Sequence, residues 1–151
     1  MLAALFSSPL AIGSTAPDFT LLDELGHSVH LADLRGQNVV LVLYPGDGTT
    51  VCRRQLCEFR DSWNATRALN TLVFGVNPQN ADSHQKFQSR YEFPFPLLVD
   101  KGKRVAALYH SGGLIVRRTV YLIGPDGVIR YARRGKPPVS EVLAAAEHSD
   151  A

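Results

Sequence analysis

Residues Tyr44 to Asp61 read YPGDGTTVCRRQLCEFRD and hold both cysteines of the chain, Cys52 and Cys57. A thiolate is a nucleophile, a metal ligand and a target for oxidation, whereas a thiol near its ordinary pKa of about 8.5 is only a few per cent ionised at neutral pH. Three local features favour the ionised form of Cys52. It falls in the first turn of a predicted helix, where unpaired N–H groups and the dipole attract an anion. Thr49, three residues earlier, has a hydroxyl that can donate to sulfur or to a bound oxygen. A positive side chain can approach from elsewhere in the chain. Free cysteines also occur as inert core residues, and Cys52 shares its predicted helical face with Leu56, Phe59 and Trp63. The glycine-bearing loop and the helix start weigh toward reactivity.

The spacing of the two cysteines is informative. Five helical residues turn about 500° and rise about 7.5 Å, so Cys52 and Cys57 point about 140° apart with Cα atoms ~8.6 Å from each other. A disulfide needs Cα atoms within about 7 Å. The two sulfurs therefore cannot bond across an intact helix, and joining them requires its first turns to unwind. A permanent staple is poorly served by this spacing; a cycle between a helical reduced form and a locally melted oxidised form is well served. Zinc is a competing use, since Cys-x4-Cys is a permitted ligand spacing. There is no second cysteine pair, however, and His27, His30, His84, His110 and His148 form no His-x3–5-His pair. No metal is expected. The pair is not Cys-x-x-Cys either, which weakens a thioredoxin-type disulfide exchanger.

The elements that must position these residues follow from periodicity. Asp18 to Leu31 reads as a short hairpin around Glu24-Leu25-Gly26. Asn38 to Tyr44 is almost wholly apolar and β-branched, the pattern of a central strand buried on both faces. After Gly46 and Gly48 the spacing turns helical from about residue 50 to 69. Thr71 to Val76 is a second buried strand. Asn80 to Tyr91 is a polar, exposed helix with Asn80 as its cap. Phe95 to Asp100 is a third strand and Lys103 to Tyr109 a short helix. Thr119 to Arg133 is a hairpin turned at Pro125-Asp126-Gly127, and Val139 to Glu147 a terminal helix. Early alternation of strands and helices, closed by an antiparallel hairpin, predicts an α/β domain with a mixed sheet and helices on both faces. In such sheets the loop between a strand end and a helix start is the usual place for a site, and Cys52 lies there.

The chain has 151 residues, 45% of them apolar and 20% charged, which suits one soluble domain spanning residues 1–151. Its net charge of +2 argues against a nucleic-acid partner. Basic residues gather late, at Arg117, Arg118, Arg130, Arg133, Arg134 and Lys136, and read mostly as a solvated strand face. The opening, MLAALFSSPLAIG, is apolar but lacks a basic residue near its start and is broken by Pro9, so it is not read as a cleaved signal. No run reaches the roughly 18 apolar residues of a membrane helix. The expectation is a cytoplasmic protein without membrane contact, where a cysteine pair performs chemistry rather than stapling the fold.

From Gly13 onward the chain resembles the peroxiredoxins, in particular the Q type, also called bacterioferritin-comigratory proteins. The resemblance rests on GSTAPDFTLLDELGHSVHLADLRGQNVVLVLYPGDGTTVC, with its Pro-x-x-x-Thr-x-x-Cys at Pro45, Thr49 and Cys52. It extends to CEFRD, to GVNPQNADSHQKFQSRYEFPFPLLVD and to RTVYLIGPDGVIR. It implies a thioredoxin-like fold and reduction of hydrogen peroxide and organic hydroperoxides without metal, haem or other cofactor. By the same resemblance Cys52 is the peroxidatic cysteine, attacking the O–O bond to become a sulfenic acid. Pro45 shields that sulfur and Thr49 hydrogen-bonds the substrate. Arg118, favoured over the neighbouring Arg117, stabilises charge on sulfur and peroxide. Cys57 is the resolving cysteine, forming an intramolecular disulfide that thioredoxin or a similar dithiol protein reduces. A monomer or weak dimer is implied. The chain departs from the family pattern at Thr50, where many members have proline and where a threonine offers an N-cap. It departs again at Gly48, which replaces a bulkier residue and opens the substrate mouth, and at Gly124, in place of a frequent aspartate. A non-enzymatic redox sensor using the same oxidation to melt the Cys52–Cys57 segment is the alternative.

Overall fold

The computed structural model describes residues 8–149 and, at Cys52, the backbone alone. The first seven residues of the apolar N-terminus, and with them most of the question of its processing, lie outside this range. Seven strands are described: β1 (Thr20–Leu22), β2 (Ser28–His30), β3 (Asn38–Leu43), β4 (Thr71–Asn77), β5 (Leu97–Val99), β6 (Thr119–Ile123) and β7 (Ile129–Arg134). The helices are α1 (Thr50–Asp61), α2 (Trp63–Ala68), α3 (Ala81–Tyr91), α4 (Arg104–Leu108) and α5 (Val139–Ser149), with short 3-10 turns at Leu31–Leu34 and Lys101–Lys103.

The strands form one mixed sheet in the order β2-β1-β5-β4-β3-β6-β7. β3, β4 and β5 run parallel; β6 joins β3 antiparallel, and the hairpins β1–β2 and β6–β7 close the two edges. This is the expected mixed α/β architecture with an N-terminal hairpin. Every residue of β3 is buried because its side chains serve two cores alternately. Val39, Leu41 and Leu43 pack with Phe74, Val76, Leu98, Tyr121 and the short α4. Val40, Val42 and Tyr44 pack with Leu56 and Phe59 of α1, Phe87 of α3 and Val142 and Ala146 of α5. A strand buried on both faces loses the apolar–polar alternation of a surface strand, which is why 38–44 reads as a continuous apolar run.

Three predicted elements differ in detail. The single helix expected over 50–69 is two. Ser62 leaves helical geometry (φ −100°, ψ 15°), which ends α1, and its carbonyl accepts from the amide and the hydroxyl of Thr66 as the first turn of α2 begins. β5 is shorter than the predicted strand because Pro96 has no N–H to give a ladder. The helix over 81–91 is capped by Asn80 as expected, its side chain accepting from Ser83 N at 2.9 Å, but it is not an exposed helix: His84 and Phe87 are buried.

β4 passes Tyr44 and β5 closely at Gly75, where a Cβ would stand 2.7 Å from Leu97 Cδ2 and 3.1 Å from Tyr44 Cε1. Gly75→Ala is therefore expected to destabilise the fold by about 1–3 kcal/mol through overpacking. The measurement is a urea unfolding curve, in which the midpoint falls and the slope is unchanged; an unmoved midpoint would contradict this packing.

Candidate active site

β3 delivers the chain to the buried Tyr44, and residues 45–49 turn it into α1. The first helical bond runs from Arg53 N to the carbonyl of Thr49 at 2.8 Å. Thr49 is thus the N-cap, and Thr50, offered as the cap by its residue type, is instead the first helical residue. Thr50, Val51 and Cys52 are the three positions whose amides have no acceptor within the helix. No acidic residue stands in this turn, and Arg53 and Arg54 follow it. The backbone at Cys52 is therefore where the helix field favours an anion. The Cys52 thiol itself lies outside the described atoms.

Arg118 comes to this helix from across the sheet. It lies just before β6, as does Arg117. Arg118 Nη1 donates to Gln55 Oε1 at 2.8 Å. Gln55 Nε2 donates to the Gly135 carbonyl at 3.3 Å, and Gly135 N donates to the Arg118 carbonyl at 2.8 Å. Gln55 is only 1% exposed and stands three residues, nearly one turn, after Cys52, on the same side of the helix. This closed set of bonds holds a guanidinium against the segment between the two cysteines, with a neutral amide as its partner.

Cys57 lies on the same unbroken helix, half buried against the core that includes Leu56. Burial pushes its thiol upward, while the charges of Arg60 and Arg53 act the other way and Asp61 adds to the rise. Two arginines tie this helix to Tyr91 at the end of α3. Arg53 Nη1 donates to the Tyr91 hydroxyl at 3.4 Å with its guanidinium 5.7 Å from the ring centre. Arg60 Nη1 donates to the Tyr91 carbonyl at 2.7 Å. The first of these contacts sits between the cysteines and the second beyond them.

The loop itself is fastened by Asp47, whose side chain is 4% exposed. Its Oδ1 accepts from the Tyr44 hydroxyl at 2.7 Å and from Asn77 Nδ2 at 2.9 Å. Its Oδ2 accepts from Ser83 Oγ at 2.8 Å and meets His84 Nδ1 at 2.6 Å. Asp47 N donates to Gln79 Oε1. A Cβ on Gly46 would lie 3.1 Å from that same oxygen, and Gly48 has φ +81°, so both glycines answer to the path of the loop. A cavity of about 460 Å³ opens beside the loop, bounded by Gly48, Ser83, Lys86, Phe87, Arg90 and Tyr91. Among the described residues no group of three or more His, Cys, Asp or Glu side chains is placed to hold a metal ion, and no helix is long and apolar enough to cross a membrane.

Residues 12–132 match the AhpC/TSA family. The chain is 37% identical over 127 residues to the peroxiredoxin Bcp of Bacillus subtilis (strain 168), an alignment covering 78% of this chain and 81% of that one. The chain belongs to the AhpC/TSA family, in its peroxiredoxin Q/Bcp branch. It is also 37% identical over 126 residues to the chloroplastic peroxiredoxin Q of Oryza sativa subsp. japonica, covering 79% of this chain but 57% of that relative's length. The crystal structure of peroxidoxin BcpB from Mycobacterium tuberculosis superposes with a TM-score of 0.85 at 27% identity, covering 91% of this chain and 96% of that one. The sheet described above is accordingly the thioredoxin-like sheet of this family.

Of the residues singled out from the sequence, the fold gathers Thr49, Cys52 and Arg118 about the amino end of α1, with Pro45 at the other end of the loop. Cys57 is on the same helix but turned away. Gln55, Asp47 and His84 carry the connections among these parts and were not singled out. A polar residue on the buried face of an otherwise apolar helical stripe was a signal for Gln55; Asp47 and His84 meet only through the fold.

Because burial raises Cys57, the reduced protein at pH 7 is expected to be alkylated there by iodoacetamide more slowly than free cysteine, the rate climbing as pH rises past the ordinary thiol range. Peptide mass spectrometry over a time course measures this, and a rate equal to that of free cysteine would remove burial as the controlling cause.

Proposed function

We propose that this chain is a thiol-dependent peroxidase acting on hydrogen peroxide and organic hydroperoxides. The observation that carries the reading is the pairing of Cys52, at the amino end of α1, with a guanidinium from Arg118 docked nearly one turn farther along the same helix, in a chain of the peroxiredoxin Q/Bcp branch. The Cys52 thiolate attacks one peroxide oxygen and the O–O bond breaks. Sulfur takes that oxygen as a sulfenic acid, and the other oxygen leaves as alkoxide or hydroxide and is protonated. Arg118 and Thr49 stabilise the charge moving onto the leaving oxygen, and Pro45 keeps water from the sulfur.

Cys57 then attacks the sulfenic sulfur, forming the Cys52–Cys57 disulfide and releasing water. With α1 intact the Cα atoms are ~8.6 Å apart by helix geometry, so this step requires the turns between them to open. Opening removes the Gln55 bonds and the Arg53–Tyr91 contact and exposes Leu56, which is fully buried in the helix. Losing that burial costs about 1.5–3 kcal/mol, and the hydrogen bonds about 1 kcal/mol each. The Arg60–Tyr91 bond and buried Phe59 lie beyond the opened segment and remain as its boundary. Thioredoxin or a similar dithiol protein donates two electrons to the disulfide and resets the helix.

Cys52→Ser is expected to abolish peroxide consumption in an assay coupled to thioredoxin, thioredoxin reductase and NADPH, whereas the parent chain consumes peroxide in large molar excess. Consumption that stops near one equivalent would instead mark a sensor. Cys57→Ser is expected to leave one round of Cys52 oxidation intact and to accumulate its sulfenic acid, visible as one added oxygen by mass; absence of that oxygen and of any thiol adduct would remove Cys57 as resolver. Arg118→Ala is expected to slow the reaction with peroxide about 10²–10³-fold, read by stopped-flow kinetics of Cys52 oxidation.

A further inference from the structure

The acceptors around His84 determine its charge. His84 is fully buried, with Nε2 2.8 Å from the Leu98 carbonyl, which can only accept, so Nε2 carries a proton. Nδ1 is 2.6 Å from Asp47 Oδ2. That oxygen also receives Ser83 Oγ, while Oδ1 receives the Tyr44 hydroxyl and Asn77 Nδ2. Asn77 is oriented without ambiguity, because its own Oδ1 accepts from Gln79 N at 2.8 Å. Three donors independent of His84, the Tyr44 and Ser83 hydroxyls and the Asn77 amide, surround this carboxyl and favour its ionised form: burial acts to raise Asp47, but its hydrogen bonds hold it below its ordinary value. Nδ1 therefore carries a proton as well, and the ring is an imidazolium. The buried carboxyl of Glu24, in the β1–β2 turn, is raised by burial.

We propose that His84 is a positioning residue for the reaction at Cys52: as an imidazolium bridging Leu98 of β5 and Asp47 of the loop, it fixes Pro45 and Thr49 where peroxide is received. This rests on the peroxidase reading above. Asp47 lies midway between Pro45 and Thr49, and its bonds refer the loop to β5 through His84, to α3 through Ser83 and to the ends of β3 and β4 through Tyr44 and Asn77. Withdrawing one partner of a buried ion pair leaves the other charge uncompensated. Misplacement of a reacting group by about 1 Å costs on the order of 100-fold in rate.

The test uses the full chain carrying Cys57→Ser, so that the peroxide step at Cys52 is read without resolution. In this parent, His84→Gln is expected to slow oxidation by hydrogen peroxide about 10- to 100-fold, while alkylation of Cys52 by iodoacetamide, which needs an accessible thiolate but no peroxide site, changes less than about threefold. Asp47→Asn is expected to act alike, and the double variant to be no slower than the slower single one, as for two parts of one device. Nitrogen NMR of the otherwise unaltered chain is expected to show both ring nitrogens of His84 protonated at neutral pH, a measurement that needs no His84 variant to fold. A neutral ring overturns the inference, and so does equal slowing toward both reagents, which marks a general loss of structure. A fast parent with an equally fast His84→Gln overturns this inference alone; a parent no faster with peroxide than free cysteine overturns the peroxidase reading itself.

Discussion

Burial of Leu56 and Phe59 against the sheet is the interaction that keeps α1 in place, and the two residues lie on either side of Cys57. Leu56 sits between the cysteines and Phe59 beyond them. Each contributes about 1.5–3 kcal/mol by leaving water, so α1 is secured in two separable parts. The amino-terminal part is also held by Gln55 and Arg53, through one amide and one arginine that reach elements far away in sequence. The carboxyl-terminal part is held by Phe59 and Arg60 and continues past Ser62 into α2. A helix fastened in this divided way can open at one end without losing its seat at the other.

The charge arrangement follows the same division. Helix start, Arg53 and Arg54 make the amino end electropositive without an acidic residue to cancel it. Arg118 is added, with Gln55 orienting its guanidinium through a charge-assisted hydrogen bond. The loop carboxylate, Asp47, is matched by His84. Anion-favouring and cation-favouring groups thus stand close in sequence, in YPGDGTTVC, with the carboxylate bound to partners from β4 and α3.

Much of this was legible in the residues. The double burial of β3 appeared as an unbroken apolar run, the two hairpins as turn residues between short strands, and the cap of α3 as Asn80 before a helical stretch. Cys52 was picked out by its place between a glycine-bearing loop and a helix start, whereas Pro45 and Arg118 were picked out only by the resemblance to the peroxiredoxins. What was not legible depends on contacts distant in sequence or on competition at a single residue. The break at Ser62 is a change in one residue's backbone angles within a stretch whose helical periodicity continues on both sides. The helix 81–91 looked polar because one of its two buried residues is a histidine, and a histidine is buried only when the fold supplies both of its partners, here from residues 47 and 98. Periodicity carries no information about such a meeting. The cap at Thr49 rather than Thr50 was equally ambiguous, since two adjacent threonines have the same capacity and only the start of the hydrogen-bond ladder separates them.

The docking of Arg53 on Tyr91 has one more consequence. While α1 is helical, the peptide bonds after Arg53 and Arg54 are locked in regular hydrogen-bonded structure and present no extended backbone to an enzyme. In a chain whose first turns have opened, those same two bonds become a trypsin site flanked by folded protein. Under the proposed cycle, susceptibility to a brief digestion reports how much of the population is oxidised, with Arg60, bound to the Tyr91 carbonyl, spared.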